Sequence, residues 1–370
     1  MKKIIDRLFS RAGITVNGLN PWDIQIHDDR FYQRVLQSQN LGLGESYMDG
    51  WWDCPAMDEF FCRLLRSDVE KQLKKSPRDM LCLALHRLLN FQTKNKAQEV
   101  ADRHYNLGNS LYATMLGESM NYSCAYWKGT ASLDEAQRNK MELICRKLGL
   151  KPGMRLLDIG SGWGALAKYA AQNYGVEVVG TTISQPQKQL AEEHCRGLPV
   201  KFMLKDYRDL PCEHFDRIVS VGMFEHVGYK NYSQFMDVAS KRLADNGIFL
   251  LHTIGGNLSY AHGDPWINKY IFPNGMLPSI TQIGKALEGR FVMEDWHNFG
   301  VHYDKTLMAW HKNFIDHWAD LKDHYGERFK RMWDYYLLSC AGGFRARTIQ
   351  LWQIVLTKHG LPQGFDVRDL

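Results

Sequence analysis

The chain contains eight cysteines but no C-x-x-C pair among its 370 residues. Such pairs supply the thiolates of many structural zinc sites, so we expect no bound metal and reduced thiols in a cytoplasmic protein. No apolar run approaches the roughly 18 residues that a membrane-spanning helix needs. Because Asp6, Arg7 and Arg11 interrupt the first apolar residues, we also expect no secretory signal peptide.

The sequence also lacks internal repeats, low-complexity segments and a strong net charge, which is only +5. Hydrophobic residues make up 45% of the chain, which is enough to bury a sizeable core in about two domains. We predict a small, mostly helical N-terminal domain over residues 1–103 and a catalytic domain over residues 104–370.

Apolar residues recur at helical spacing in segments 31–36, 57–65 and 80–89. The glycine-containing segment 42–52 between the first two is typical of a loop. Segment 71–96 carries seven basic residues against one acid. Such a run forms either a solvated face or a patch that rests on anionic phospholipid headgroups, and charge alone leaves both interpretations open.

Strand and helix patterns alternate from residue 154 onward, which predicts an α/β fold with a parallel sheet covered by helices on both faces. The predicted strands lie at 156–159, 176–181, 200–204, 215–221 and 248–253, with later candidates at 291–296 and 349–356. The predicted helices between them lie at 165–173, 186–195 and 232–243.

A glycine-rich turn follows the first of these strands, in the sequence Asp158-Ile-Gly160-Ser-Gly162-Trp-Gly164. Glycine allows positive φ angles and close approach of a ligand, and the following helix N-terminus offers free N–H groups. The spacing differs from the G-x-G-x-x-G of dinucleotide sites, and Asp158 could hold an ammonium group. The turn therefore resembles the first motif of S-adenosylmethionine (SAM)-dependent methyltransferases, with a dinucleotide site or a structural turn as the alternatives.

Ligands of such sheets bind beyond the carboxyl ends of the strands. Thr182 or Gln187 could contact the ribose of SAM there, and Asp206 with Tyr207 could contact its adenine. The second strand ends in two threonines, without the terminal acid of dinucleotide sites, which weakens the NAD interpretation.

Titratable side chains also follow the fourth and fifth strands. Glu225 and His226 come after the fourth strand, His252 ends the fifth, and Tyr303 begins a later helix. A lone histidine at a strand end is usually structural, but several such groups at one sheet edge indicate an active site. Cys124, in an aromatic segment, could close the same cleft.

Several longer motifs appear together in one order. These are YSCAYW at 122–127, LDIGSGWG at 157–164, VGMFEHVG at 221–228, LHTIG at 251–255, YIFPNG at 270–275, DWHNFG at 295–300 and CAGGFRAR at 340–347. Together they resemble the cyclopropane-fatty-acyl-phospholipid synthase family, in its bacterial two-domain form. The resemblance reaches back to segment 42–52 and so covers nearly the whole chain.

The resemblance implies a reaction in which the cis double bond of a phospholipid acyl chain attacks the methyl carbon of SAM. The resulting carbocation loses a proton and closes to a cyclopropane. In this family a bound bicarbonate accepts that proton. Its binding residues would here be Cys124, Glu225, His252, Tyr303 and the backbone of Ile254. Cys340 lies in another family-like stretch, where we predict either a catalytic role or a buried structural thiol.

The resemblance also implies the SAM contacts. They would be Tyr122, Ser123, Asp158, Gly160, Gly162, Thr182, Gln187, Asp206 and Tyr207. The sequence departs from the common pattern at Ser161, where cysteine is frequent, and at Ala165, where glycine is usual. Both replacements are small, so we expect the path of the turn to be retained.

In this family the small domain mediates dimer contacts and membrane docking. The resemblance therefore predicts a homodimer that associates peripherally with the inner face of the membrane and acts on its unsaturated phospholipids. It also favours the membrane interpretation of segment 71–96.

Three other functions remain as alternatives. A lipid methyltransferase would reduce or hydrate the same carbocation and leave a branched chain. Nucleic-acid methylation is disfavoured, because Pro211-Cys212 precedes the fourth strand and Asp264-Pro-Trp lacks a second proline, so we expect no nucleic-acid partner. A SAM-binding lipid scaffold would bind cofactor without turnover.

Overall fold

The computed structural model describes residues 1–67 and 108–366. The N-terminal part is mostly helical, with one short antiparallel pair of strands, β1 and β2. Its elements are α1 (Lys2–Arg11), β1 (Gln25–Ile26), α2 (Arg30–Met48), β2 (Trp52–Asp53) and α3 (Met57–Arg66). The predicted helices at 31–36 and 57–65 are therefore confirmed. The predicted helix at 80–89 and the basic segment 71–96 lie outside the described residues.

The prediction of a loop over 42–52 is wrong for residues 42–48, because α2 has a kink at Gln39 but continues to Met48. The glycines of this segment serve close packing. A Cβ atom on Gly44 would lie 2.4 Å from the Trp266 ring, and one on Gly42 would lie 2.4 Å from the Arg34 carbonyl oxygen. Tertiary packing therefore overrides the local loop tendency of glycine.

Within residues 108–154, two further helices precede the central sheet, α4 (Asn109–Leu116) and α5 (Leu133–Lys147). Alternating strands and helices then follow. The strands are β3 (Arg155–Ile159), β4 (Glu177–Thr182), β5 (Val200–Leu204), β6 (Phe215–Val221), β7 (Leu243–Gly256), β8 (Val292–Asn298) and β9 (Ile349–Thr357). The helices are α6 (Ala165–Tyr174), α7 (Gln185–His194), α8 (Tyr232–Arg242), α9 (Pro265–Tyr270), α10 (Ile280–Leu287), α11 (Val301–Asp316) and α12 (Trp318–Arg345).

The seven strands β3 to β9 form one sheet in the order β5-β4-β3-β6-β7-β9-β8. The first five of these are parallel neighbours, whereas β9 is antiparallel to both β7 and β8. The predicted α/β fold is confirmed, and the last two predicted strands are present, with β9 reversed. The strand order changes direction between β3 and β6, which is where ligands bind in sheets of this type.

Side chains of the strands alternate between two buried clusters on opposite faces of the sheet. Leu156 packs with α5 and α6, while Leu157 packs with α8 and α10. Apolar residues on both faces follow from burial of a parallel sheet on both sides. Because helices cover both faces of the sheet, a ligand can approach it at the ends of the strands.

A third buried cluster joins the N-terminal helices to α11 and α12. Trp52 packs against Tyr335 of α12 with 6.4 Å between ring centroids, and Arg345 pairs with Asp58 of α3 at 2.6 Å. Residues on both sides of the predicted boundary at 103 thus share one core, and the boundary itself stays a prediction. In the described ranges no helix is both long and apolar enough to cross a membrane.

Candidate active site

A cleft opens at the carboxyl ends of β3, β4 and β6, at the change in strand order. All nine residues predicted to contact SAM line this cleft. They are Tyr122, Ser123, Asp158, Gly160, Gly162, Thr182, Gln187, Asp206 and Tyr207. The structure therefore brings the predicted set together from four separate parts of the chain, and their roles toward the cofactor stay predictions.

The glycine turn after β3 adopts a path that few other residues could follow. Gly160, Gly162 and Gly164 have φ angles of 88°, 54° and 83°. A Cβ atom on Gly160 would lie 2.8 Å from Met223, and one on Gly164 would lie 2.8 Å from Phe202. By contrast, a Cβ atom on Gly162 would have no neighbour within 4 Å. Two glycines therefore serve packing, while Gly162 leaves open space where a ligand can approach the backbone.

A buried lysine that the sequence analysis did not identify lies in the same cleft. The ammonium of Lys140 donates hydrogen bonds to Asn121 Oδ1 and Ser123 Oγ, both at 2.9 Å. Burial lowers the pKa of Lys140 to about 7 and raises that of Asp158, also in the cleft, to about 7. Each charge favours the ionised form of the other. Lys140 thus fixes the segment that carries the predicted SAM contacts Tyr122 and Ser123.

The opposite end of the cleft is formed by β4, the start of α7 and the residues after β5. Thr182 donates a hydrogen bond to Gln187 Oε1 at 2.9 Å. Arg208 binds the Asp206 carboxylate with two hydrogen bonds, at 2.7 and 2.8 Å. These contacts hold the polar groups predicted to face the ribose and the adenine in fixed orientations.

Glu225 lies in a short turn after β6, beside β7. Its Oε1 accepts a hydrogen bond from the backbone N–H of Ile254 at 2.7 Å. Its Oε2 is buried and, within residues 1–67 and 108–366, has no hydrogen-bond partner. Burial raises the pKa of Glu225 to about 7, against the opposing effects of the Ile254 N–H, its own backbone N–H and the Thr253 side chain. A carboxyl group in this state can either donate or accept a hydrogen bond near neutral pH.

His252 is buried near the end of β7. Its Nδ1 lies 3.3 Å from Nε2 of Gln353 on β9, and its Nε2 has no partner in the described parts of the chain. Burial, together with the charges of Lys140 and Lys147, holds the pKa of His252 well below its usual range. The imidazole is therefore neutral and has one nitrogen available to a ligand.

The other predicted catalytic side chains are also uncharged. Burial raises the pKa of Cys124 above its ordinary value and that of Cys340 to about 12, so both remain thiols. Burial likewise raises the pKa of Tyr303, and the nearby Cys124, Glu225 and Cys340 add to this shift. Tyr303 therefore lies near each of these three side chains. Cys340 is half-buried and the other three are buried.

Aromatic rings surround this group. Tyr303 stacks on Phe344 with 4.4 Å between centroids and contacts Trp310 edge-on at 5.9 Å. Tyr122 contacts Trp310 at 5.3 Å and donates a hydrogen bond from its hydroxyl to Tyr336 at 2.9 Å. Ring faces of this kind can stabilise a cation without reacting with it. The arrangement combines a cleft lined by the predicted cofactor contacts, neutral hydrogen-bonding groups and an aromatic wall.

The family model for mycolic acid cyclopropane synthetase matches residues 92–354 of the chain. The chain is 56% identical over 365 residues to the cyclopropane-fatty-acyl-phospholipid synthase of Escherichia coli strain K12. This alignment covers 99% of this chain and 95% of that protein. It is also 36% identical over 289 residues to a probable fatty acid methyltransferase of Pseudomonas putida, with 73% of each chain covered.

A solved structure supports the same relationship. The mycolic acid cyclopropane synthase CmaA1, complexed with SAH and CTAB, aligns with a TM-score of 0.65 and 33% sequence identity. The alignment covers 70% of this chain and 98% of that chain. Coclaurine N-methyltransferase aligns with a TM-score of 0.71 at 20% identity, which supports the methyltransferase fold alone.

Proposed function

The chain belongs to the mycolic acid cyclopropane synthetase family of SAM-dependent enzymes, and from this premise we propose its reaction. The protein transfers a methylene group from SAM to the cis double bond of an unsaturated acyl chain in a membrane phospholipid. The products are a cyclopropane fatty acyl chain, S-adenosylhomocysteine and a proton. The observation that carries the proposal is the position of the Glu225–Ile254 pair beside a cleft lined by all nine predicted SAM contacts.

SAM binds in the cleft as the methyl donor. Asp158 and Lys140 place one negative and one positive group on the cleft wall, which suits the ammonium and carboxylate of its amino acid end. The open space beside Gly162 accommodates that end, since no side chain fills it. The complex of CmaA1 with SAH supports a cofactor site of this kind.

The acyl chain reacts through its double bond, which attacks the methyl carbon of SAM and leaves a carbocation. Tyr122, Trp310 and Tyr303 lie in one contacting series of rings. A well-placed ring stabilises a nearby cation by roughly 0.5–2 kcal/mol, and the neutral thiols and phenols here offer no competing anion. The complex of CmaA1 with CTAB, a surfactant with a long alkyl chain, supports the accommodation of such a chain.

Bicarbonate is the proton acceptor that we propose, and the residues present fit it. Glu225 Oε2 and His252 Nε2 are buried polar atoms without a partner in the described ranges, so each is available to a small polar ligand. Cys124 and Tyr303 would complete the site, and the backbone N–H of Ile254 would support it through the Glu225 carboxyl group, to which it donates. When bound there, bicarbonate would supply a base for the proton released at ring closure. Glu225, kept partly protonated by its raised pKa, can donate a hydrogen bond to an anion instead of repelling it.

We also propose that the protein acts as a homodimer at the surface of an anionic membrane, on the cytoplasmic side. The support is the basic composition of segment 71–96, because each lysine or arginine near such a surface contributes about 1 kcal/mol. Replacing Lys71, Lys74 and Lys75 with glutamate should weaken sedimentation with phosphatidylglycerol vesicles. Unchanged binding would contradict this part of the proposal.

Mass spectrometry of phospholipids tests the proposed reaction. The protein is incubated with SAM and vesicles of cis-unsaturated phosphatidylglycerol and phosphatidylethanolamine, with and without added bicarbonate. A gain of one CH2 in a product that resists mild hydrogenation supports ring formation, and dependence on bicarbonate supports the proposed base. No gain in mass with SAM still bound would favour a scaffold instead.

A second candidate function is methylation without ring closure. It is favoured by the 36% identity to the probable fatty acid methyltransferase of Pseudomonas putida. A reduced branched chain would gain CH4, a hydrated one would gain CH3OH, and an unsaturated product would gain CH2 but still take up hydrogen. The same experiment therefore separates the two functions.

A further inference from the structure

Gln353 is a fully buried glutamine in the middle of β9, flanked along the strand by buried apolar residues. In the sheet it lies directly between two histidines, since it pairs with His252 of β7 on one side and with His297 of β8 on the other. Paired residues of neighbouring strands project to the same face, so the three side chains form one row. Burying an amide is unfavourable unless its polar atoms find partners, so its presence here calls for a specific contact.

That contact is made with His252. Nε2 of Gln353 lies 3.3 Å from Nδ1 of the imidazole, and Gln353 Oε1 has no partner in the described part of the chain. His252 is neutral, because burial and the charges of Lys140 and Lys147 oppose its protonation. A neutral imidazole carries its proton on one nitrogen only, and the hydrogen bond at one nitrogen decides the state of the other.

We infer that Gln353 is a positioning residue that fixes the tautomer of His252 with the proton on Nε2. The amide N–H donates to Nδ1, which must therefore be the unprotonated nitrogen. Nε2 then presents an N–H donor. Of the two ring nitrogens of His252, Nε2 is the one without a protein partner in the described ranges, so its hydrogen bond is available to an anion.

The opposite orientation of the amide would reverse this result. Gln353 Oε1 would then face Nδ1 and require a proton there, which would leave Nε2 with a lone pair. The unprotonated oxygens of an anion beside Glu225 would then find no donor at His252. The orientation with the amide nitrogen facing Nδ1 is thus the one that gives His252 a donor for the negatively charged oxygens of an anion.

His297, at the other end of the row, is held by a contact of its own. His297 Nδ1 lies 3.2 Å from the ammonium of Lys147, which pairs with Asp295 at 2.8 Å. Burial, with a contribution from the Lys147 charge, lowers the pKa of His297 to about 4, so this ring is also neutral. Gln353 therefore lies between two neutral rings, and Lys147 already engages the Nδ1 atom of His297.

The inference depends on the proposed function in one respect only: the role of the His252 Nε2–H, which is to bind an anion. The tautomer itself is measured without turnover, by long-range 1H–15N correlation spectra of protein labelled with 15N-histidine. The His252 signals are identified by their loss in His252→Gln. The expected spectrum has a protonated Nε2 and an unprotonated Nδ1 that do not titrate between about pH 6 and 8. A protonated Nδ1 in the wild-type protein would overturn the inference.

Two variants test the role of Gln353. Gln353→Met removes the donor at nearly constant volume and should populate both tautomers, while Gln353→Glu should move the proton to Nδ1. Gln350→Met is the matched control, because Gln350 is a buried glutamine of the same strand whose partners are Asn298 and Arg347. An unchanged His252 tautomer in folded Gln353→Met would overturn the inference even if Gln353→Glu failed to fold.

Activity provides the second measurement. For Gln353→Met we expect the bicarbonate concentration at half-maximal rate to rise by roughly 10–100-fold, as for other residues that orient a ligating histidine. The KM for SAM should stay within about twofold. If the enzyme forms no cyclopropane, the proposed function fails while the spectra still decide the tautomer. If rings form but the tautomer is the other one, only this inference fails.

Discussion

The ammonium of Lys140 lies 2.9 Å from the hydroxyl oxygen of Ser123, in the cleft beyond the central strand. The same ammonium also binds Asn121, so one buried cation from α5, together with Gln137 of the same helix, holds the segment that lines the cleft. This segment continues into Cys124. The contact thus links the predicted cofactor residues to the predicted catalytic ones.

Lys140→Met should weaken SAM binding by about 10–100-fold. The change removes two charge-assisted hydrogen bonds, each of about 1.5–3 kcal/mol, and leaves Asp158 without a nearby opposite charge. Isothermal titration calorimetry with S-adenosylhomocysteine measures the loss. Lys151→Met, at an exposed position before β3, serves as the control and should bind normally. Normal binding by Lys140→Met would show that the segment is held in place without this cation.

The two glycines at the end of the turn should respond differently to alanine. Gly164→Ala should lower the free energy of unfolding by about 2–4 kcal/mol, because its Cβ would meet Phe202 at 2.8 Å and Ala191 at 3.0 Å at a positive φ. Gly162→Ala should cost only the strain of about 1–2 kcal/mol, yet weaken cofactor binding, since its Cβ enters the open cleft. Urea unfolding and calorimetry with S-adenosylhomocysteine measure both effects. The reverse ranking in either assay would contradict the assignment of Gly164 to packing and of Gly162 to the ligand.

Glu225→Gln should lower kcat by roughly 100-fold or more, as expected if the Glu225 carboxyl exchanges a proton with the bicarbonate that it binds, which an amide cannot do. The amide oxygen can still accept the Ile254 N–H bond, so the fold should be retained and SAM affinity should stay within about twofold. Steady-state kinetics with vesicles measures the rate. Glu213→Gln, half-exposed and paired with Arg155, is the control and should retain full activity. A Glu225→Gln variant with wild-type kcat would remove Glu225 from the catalytic site.

The raised pKa of Glu225 also predicts a pH-dependent stability. The folded protein holds this proton up to about pH 7, whereas the unfolded chain loses it near pH 4.5. The folded state therefore binds more protons within this window, and stability falls as the pH rises through it. Between pH 5 and 8 the wild type should lose about 2–3 kcal/mol that Glu225→Gln does not lose. Urea unfolding at both pH values checks this, and equal losses would mean that Glu225 is not desolvated.

Much of the fold could be predicted because local patterns determine it. Apolar runs predicted the strands to within a few residues at most ends, and the turn at Asp158–Gly164 predicted the edge at which the cleft lies. The loop predicted around Gly42 and Gly44 was wrong, because glycine is locally typical of loops. In the structure these two glycines instead allow close contact with Arg34 and Trp266. The contact partner of a glycine cannot be inferred from neighbouring residues.

The parts of the site that escaped prediction depend on distant contacts. Lys140 lies on the buried face of α5, four residues from both Ala136 and Ile144, and a lysine at such a position was the available signal. Gln353 meets His252 only through the register of β7 and β9, which are 101 residues apart at this point. Strand order and direction set that register, and neither follows from the pattern of a single strand.

The fate of the methyl hydrogens tests the central claim most directly. The protein is supplied with SAM carrying a CD3 methyl group and with vesicles of cis-unsaturated phosphatidylglycerol, and the acyl chains are analysed by mass spectrometry. The account predicts a product that retains two of the three deuterium atoms, because ring closure releases the third as a deuteron. A product that retains all three would show a methyl branch, and would contradict the assignment of this site to cyclopropane formation.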